Sequence, residues 1–116
     1  MNLQLSKLIG QRCMTAEQGQ KLLEEIQPRI LAGETVTIDL AGVNILLSIF
    51  LNNAVGPLFI HFDRQRLDRL LKFENQSDSQ RLTLENSMRS AESYHRDPDV
   101  KRAVDDSLVK MFEERE

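Results

Sequence analysis

The chain has 116 residues, of which 41% are hydrophobic and 28% charged, so it suits one domain with a buried core. A net charge of −3 and a pI near 5.4 disfavour a nucleic-acid binder, because phosphate contacts need clustered Lys and Arg. Cys13 is the single cysteine, which excludes an intrachain disulfide, and residues 1–7 do not resemble a secretory signal. Both observations predict a cytoplasmic location.

The first third of the chain predicts a strand and then a helix. Apolar and polar side chains alternate over residues 1–5, which is typical of a strand. Thr15 and Gln18 have the spacing of a capping box, so a helix is expected to begin there. We expect Pro28 to kink this helix or end it early, and Gly33 to stop it. Its apolar stripe consists of Leu22, Leu23, Ile26 and Ile30.

Residues 35–40 give the clearest strand, because β-branched residues alternate there with polar ones, and we expect it near the centre of a sheet. A helix is predicted to begin near Ser48, and it must bend or restart at Pro57. Its buried stripe consists of Leu51, Ala54, Val55, Leu58, Phe59 and Phe62. Residues 43–62 are long enough to span a membrane, but their polar residues disfavour that interpretation, so no membrane contact is expected.

The last part of the chain predicts one more strand and three helices. Asp63 is placed to cap a short helix, residues 71–74 alternate as a strand, and Ser77 or Asp78 caps a long helix carrying Leu84, Met88 and Ala91. Asp97 and Pro98 predict the start of a separate helix at about residues 98–115. Its stripe consists of Val100, Ala103, Val104, Leu108, Met111 and Phe112. The expected fold is a single α/β domain over residues 1–116, with a short mixed sheet, helices packed on it and a helical C-terminus.

The residues that could carry chemistry form no constellation in the sequence. His61 and His95 each lie in or beside an amphipathic helix and are expected to be structural. Cys13 is expected to be a buried or half-buried thiol. The sequence therefore predicts no catalytic residues, no metal site and no cofactor, and an enzyme is the least favoured class.

An ordered series of short motifs surrounds the central strand. It reads TV at 35–36, DL at 39–40, GV at 42–43, SIFLNNAVGPLF at 48–59 and LKFEN at 71–75, with Gly10, Cys13 and Thr15 before it. This series resembles a bacterial STAS-like family catalogued as a domain of unknown function. The strand-to-helix part is also similar to the STAS superfamily, whose best-known members are anti-sigma-factor antagonists.

The resemblance implies a regulatory module that docks a partner protein, such as an ATP-binding protein of the GHKL kinase type. Some STAS domains are switched by phosphorylation of a serine at the helix start. Here Ile49 stands at that phosphoacceptor position, and Leu47 stands where those proteins have an acidic residue. Ser48 is therefore a weak candidate for phosphorylation, and we expect it to be a helix N-cap.

The expected partner-binding residues are Asn44, Ile45, Leu46, Leu47, Ser48 and Asn52. Three consecutive apolar side chains in a loop cannot all point inward, so we expect exposure there, with Leu46 as an exposed contact residue. The alternative is a structural subunit or homodimer that associates through the helix at about residues 98–115. Gel filtration would distinguish the two, because a stable dimer would favour self-association.

Overall fold

A computed structural model describes residues 1–96 of the chain. The predicted helix at about residues 98–115, with Asp97 and Pro98 at its start, lies outside the described residues. The strands are β1 (Asn2–Gln4), β2 (Arg12–Cys13), β3 (Val36–Asp39), β4 (Ile45–Leu46) and β5 (Leu71–Glu74). The α-helices are α1 (Leu5–Leu8), α2 (Ala16–Leu31), α3 (Ser48–Ala54), α4 (Arg64–Leu70) and α5 (Asp78–Arg96), and a 3₁₀ helix spans Gly56–Ile60. The α/β class is confirmed.

Strand β3 lies at the centre of a three-stranded sheet with the order β1-β3-β5, as predicted. Ile38 pairs with Leu3 on one side and with Phe73 on the other. β2 and β4 form a second, two-stranded sheet. The sheet differs from the expected mixed type in one detail: all pairings in residues 1–96 are parallel. They are parallel because helices lie between paired strands and return the chain to the same end of the sheet.

Helix α2 begins at the predicted capping box. The Thr15 hydroxyl accepts a hydrogen bond from the Gln18 N–H at 3.1 Å, and the Gln18 side chain accepts one from the Thr15 N–H at 3.0 Å. These two bonds satisfy donors that the first turn of a helix otherwise leaves unpaired. The core face of α2 then buries Leu22, Ile26 and Ile30, each at most 1% exposed.

Pro28 lies inside α2, and the expected early end of the helix does not occur, since α2 continues to Leu31. Pro28 is on the exposed side of the helix, whereas Ile26 and Ile30 are completely buried. Burial of two isoleucines contributes about 2–3 kcal/mol each, which offsets the roughly 3 kcal/mol cost of proline in a helix. Gly33 ends the segment as predicted, with a φ of 84° in the left-handed region.

Gly19 allows α2 and α3 to approach closely. A Cβ atom at position 19 would overlap the carbonyl oxygen of Phe50 and would lie 2.9 Å from the Asn53 Cβ. The contact encloses Phe50 and Ala54, which are both completely buried. Only glycine fits here, so α2 fixes the position of the inner face of α3.

The segment at residues 43–62 is divided into β4, α3 and the 3₁₀ helix. Pro57 lies in the first turn of the 3₁₀ helix, so the predicted restart is confirmed. The predicted stripe is buried along its length: Leu51, Ala54, Val55, Leu58, Phe59 and Phe62. Within residues 1–96, no helix has both the length and the apolar character needed to cross a membrane.

Helix α4 is capped by Asp63, whose carboxylate accepts the Arg66 N–H at 2.8 Å as predicted. Arg64 then joins α4 to α5, because its guanidinium donates to the Glu85 carboxylate at 2.8 Å. Helix α5 packs along α3 and the 3₁₀ helix, and Leu84 and Met88 enter the core. The long helix predicted after β5 is therefore confirmed as far as Arg96.

Candidate docking surface at the start of α3

Asp39 stabilises the turn that follows β3. Its carboxylate accepts hydrogen bonds from the Asn75 side chain at 2.8 Å and from the Ala41 N–H at 2.9 Å. These bonds lower the pKa of the Asp39 carboxyl group below its ordinary value, with the Asn75 contribution the larger. Gly42 completes the turn with a φ of 86°. The Asp39 of the strand motif therefore has a structural role, joining the ends of β3 and β5.

Within residues 44–48, where we expected a loop, Ile45 and Leu46 form strand β4 and Ser48 begins α3. The N–H groups of Asn44 and Ile45 donate to the Gln11 carbonyl at 2.8 and 3.2 Å. The Leu47 N–H donates to the Cys13 carbonyl at 3.0 Å. Pairing with β2 therefore provides hydrogen-bond acceptors for these backbone N–H groups, and it fixes which side chains face the core.

Leu46 faces the core and is 8% exposed, so the prediction that it is an exposed contact residue is wrong. The reason is the two-residue period of a strand, which places neighbouring side chains on opposite faces. Leu46 pairs in register with Cys13, which is completely buried. The next residue, Leu47, points outward and is 41% exposed.

Three apolar residues lie on the outward side of this junction, and we call them the outer cluster: Met14, Leu47 and Ile49. Met14 and Leu47 follow the paired residues Cys13 and Leu46, so they are side by side on the face opposite the core. Their exposed fractions are 39% for Met14, 41% for Leu47 and 51% for Ile49. Half of the large hydrophobic residues that are strongly exposed in residues 1–96 are in this cluster.

Leu47 is also the N-cap residue of α3, with extended backbone angles and no side-chain hydrogen bond to the first turn. The predicted N-cap, Ser48, is the first residue inside the helix and is exposed. That prediction is wrong by one position, because the bond between Leu47 and the Cys13 carbonyl keeps the chain extended through Leu47. Leucine is among the poorest N-cap residues, so α3 begins without a side-chain cap.

The other predicted binding residues are close to the outer cluster. Asn44 is exposed, and its side-chain nitrogen donates to the Gln11 side chain at 3.5 Å. Ile45 is half-buried. Asn52 is exposed one turn after Ser48, so both are on the same face of α3. The structure thus brings together the expected residues except Leu46, and it adds Met14 and Ile49.

Of the side chains considered for chemistry, His61 and His95 line one pocket together with Asp63 and Glu92, whereas Cys13 lies apart in β2. Burial raises the pKa of the Cys13 thiol to about 11, so it is protonated at neutral pH and is not a nucleophile. This confirms the buried thiol that was predicted. His61 is exposed at the end of the 3₁₀ helix, with its ring edge-on to Phe62. In the described part of the chain, no three His, Cys, Asp or Glu side chains are grouped so that they could hold a metal ion.

The fold and this surface define a small parallel α/β domain with an exposed apolar cluster at a strand-to-helix junction. Residues 18–81, more than half of the chain, match the family described as a STAS-like domain of unknown function (DUF4325). The chain belongs to this family, as its motifs predicted, and no function has been assigned to the family. The match covers β3 to β5 with α3 and α4 and begins after Gly10, Cys13 and Thr15. No curated protein and no solved structure matches the chain.

Proposed function

We propose that this STAS-like domain is a non-catalytic regulatory module that docks a partner protein through the outer cluster. The observation that carries the proposal is Leu47, an exposed leucine at the N-cap of α3. Its outward side chain is next to Met14, and Ile49 is exposed two residues further on, so the partner would meet apolar side chains at the start of α3.

Leu47 is the wrong residue for stability at its position. Asp, Asn or Ser at an N-cap accepts a hydrogen bond from the first turn and stabilises the helix by about 1 kcal/mol over an apolar residue. Leu47 instead leaves that turn uncapped and exposes apolar surface to water. A residue that costs stability in the free protein is expected where a partner covers it, because exclusion of water then makes its apolar area favourable.

The partner in this proposal is an ATP-binding protein of the GHKL type. The family match and the resemblance to anti-sigma-factor antagonists support this choice. The proposed setting is the cytoplasm, where the buried Cys13 would stay reduced. Ser48 is exposed beside the cluster, and its proposed role is to contact the partner without being phosphorylated.

Leu47→Asp tests the docking proposal sharply, because it removes the central apolar side chain and supplies a good N-cap at the same time. The free energy of unfolding should stay the same or increase by about 1 kcal/mol. Recovery of the ATP-binding partner on affinity purification from the native host, measured by quantitative mass spectrometry, should fall at least tenfold.

Leu31→Asp is the matched control. Leu31 is 50% exposed, similar to Leu47, but it is the last residue of α2, at the end opposite Met14. This variant should recover the partner at the wild-type level. Equal recovery with wild type and Leu47→Asp would contradict the proposed surface. Recovery of no ATP-binding protein with the wild type would contradict the proposed partner class.

A further inference from the structure

Strand β5 has an open backbone edge. It is the last strand in the order β1-β3-β5, so within that sheet it pairs with β3 alone. The Leu40 N–H donates to the Glu74 carbonyl at 2.9 Å, so the backbone groups of Glu74 face β3. Because backbone groups alternate sides along a strand, those of Phe73 face away from β3. The N–H and carbonyl of Phe73 have no hydrogen-bond partner within residues 1–96.

Helices α4 and α5 flank this edge without closing it. The N–H of Leu71 is already used, because it donates to the Leu67 carbonyl at the end of α4. Further along, β5 borders a groove of about 250 Å³ whose other wall includes Leu84 and Met88 of α5. The space beside Phe73 is therefore not filled by residues 1–96. An open edge of this kind is a template for pairing with another strand.

The charges on this edge match a partner with the same sequence. Lys72 and Glu74 are exposed and are on the same face of the sheet, one on each side of Phe73. Within residues 1–96 neither of them is in an ion pair. Glu74 is the register neighbour of Asp39, so two carboxylates are adjacent there. Like charges opposite each other on neighbouring strands are unfavourable, and a cation brought close to Glu74 would relieve this repulsion.

We infer that two copies of the chain pair through β5 in antiparallel orientation, centred on Phe73, and join their three-stranded sheets into one sheet of six strands. In this register the two Phe73 residues exchange both N–H to carbonyl hydrogen bonds, which satisfies the open edge. Lys72 of each copy lies opposite Glu74 of the other, which gives two ion pairs related by the twofold axis. The order Lys-Phe-Glu is its own complement when paired antiparallel, and this favours a second copy over an unrelated strand.

The proposed dimer leaves the outer cluster uncovered by β5. Met14, Leu47 and Ile49 belong neither to β5 nor to the helices that flank it. Each copy in the dimer would therefore still present its own outer cluster to a partner. Dimer formation and docking are separate properties, so the loss of one in an experiment does not require the loss of the other.

Sedimentation of the full chain over a range of concentrations measures the dimer. The wild type should dimerise reversibly. Lys72→Glu and Glu74→Lys should each raise the dimer dissociation constant at least tenfold, because each change replaces two attractive pairs by two repulsive ones. A variant that carries both changes should dimerise like the wild type, because both ion pairs are formed again with the charges exchanged.

Lys7→Glu is the matched control. Lys7 is exposed on α1, which follows β1 at the opposite edge of the sheet. The same change of charge at this position should leave the dissociation constant unchanged. A dissociation constant raised as much by Lys7→Glu as by Lys72→Glu would show a general effect of charge and would overturn the inference.

Amide hydrogen exchange, followed residue by residue by NMR, identifies the edge that pairs. The Phe73 amide should exchange at least tenfold more slowly in the dimer than in the dilute monomer, because only the dimer gives it an acceptor. The Lys72 and Glu74 amides face β3 in both states and should change much less. A wild type that stays monomeric, a double variant that does not recover, or a dimer in which Phe73 exchanges as in the monomer would each overturn the inference.

Discussion

The inner and outer faces of the β4–α3 junction are made by consecutive residues with opposite properties. On the inner face, Leu46 and Phe50 are 8% and 0% exposed, and Gly19 brings the backbone of α2 against the backbone of Phe50. On the outer face, Leu47 and Ile49 are 41% and 51% exposed. All four side chains are apolar, so hydrophobicity alone does not distinguish them. The strand period and the close helix contact decide which of them stabilise the fold and which remain exposed to solvent.

Leu46→Asp should have the largest effect on folding, because it places a charge in the core beside Cys13. The expected loss in the free energy of unfolding is about 3 kcal/mol or more, measured by urea denaturation. Leu47→Asp, one residue further, should not lower stability at all. If the two variants were equally stable, the assignment of inner and outer faces would be wrong.

Gly19→Ala should have the next largest effect. Its new methyl group would collide with the Phe50 carbonyl, which belongs to the backbone and cannot rotate away. Overpacking of this kind costs about 1–3 kcal/mol, more than the roughly 1 kcal/mol that alanine gains over glycine in a helix. The melting temperature should therefore decrease, whereas Lys21→Ala on the exposed face of the same helix should leave it nearly unchanged. An increase for Gly19→Ala would show that α2 and α3 are not held in close contact.

Ser48→Ala should have the smallest effect, within about 0.5 kcal/mol, because the hydroxyl is exposed and does not cap α3. A loss of about 1 kcal/mol would indicate a capping role after all. Intact-mass spectrometry of the protein from its native host should show no phosphate on Ser48. A stoichiometric phosphoserine there would instead make the domain a switched antagonist.

The parts of the fold that the sequence predicted are those with a pattern several residues long. Alternation identifies strand β3, and helical spacing of apolar residues identifies α2. The capping box adds a fixed spacing between Thr15 and Gln18 at the start of α2. The sheet of β2 and β4 was missed, because two-residue strands are too short to show alternation. The early end of α2 expected at Pro28 does not occur, since the burial of Ile26 and Ile30 overrides a local preference that the sequence shows in isolation.

The exposure of apolar residues at the start of α3 was predicted in position but not in detail. The run of three apolar residues at 45–47 correctly indicated that part of it must be exposed. Which residue is exposed depends on pairing with β2, more than thirty positions earlier in the sequence. The local sequence therefore indicated Leu46 as the exposed residue, whereas the structure exposes Leu47. The same pairing brings Met14 to the surface and keeps Leu47 extended, which moves the N-cap from Ser48.

The most direct test of the docking proposal is a hydrogen-exchange footprint of the domain in complex with the purified ATP-binding partner. Binding should slow exchange at residues 12–14 and 45–52, which include the outer cluster, and should leave α4 and β5 unchanged. A footprint confined to α4 and β5, with residues 45–52 exchanging as in the free protein, would contradict the account.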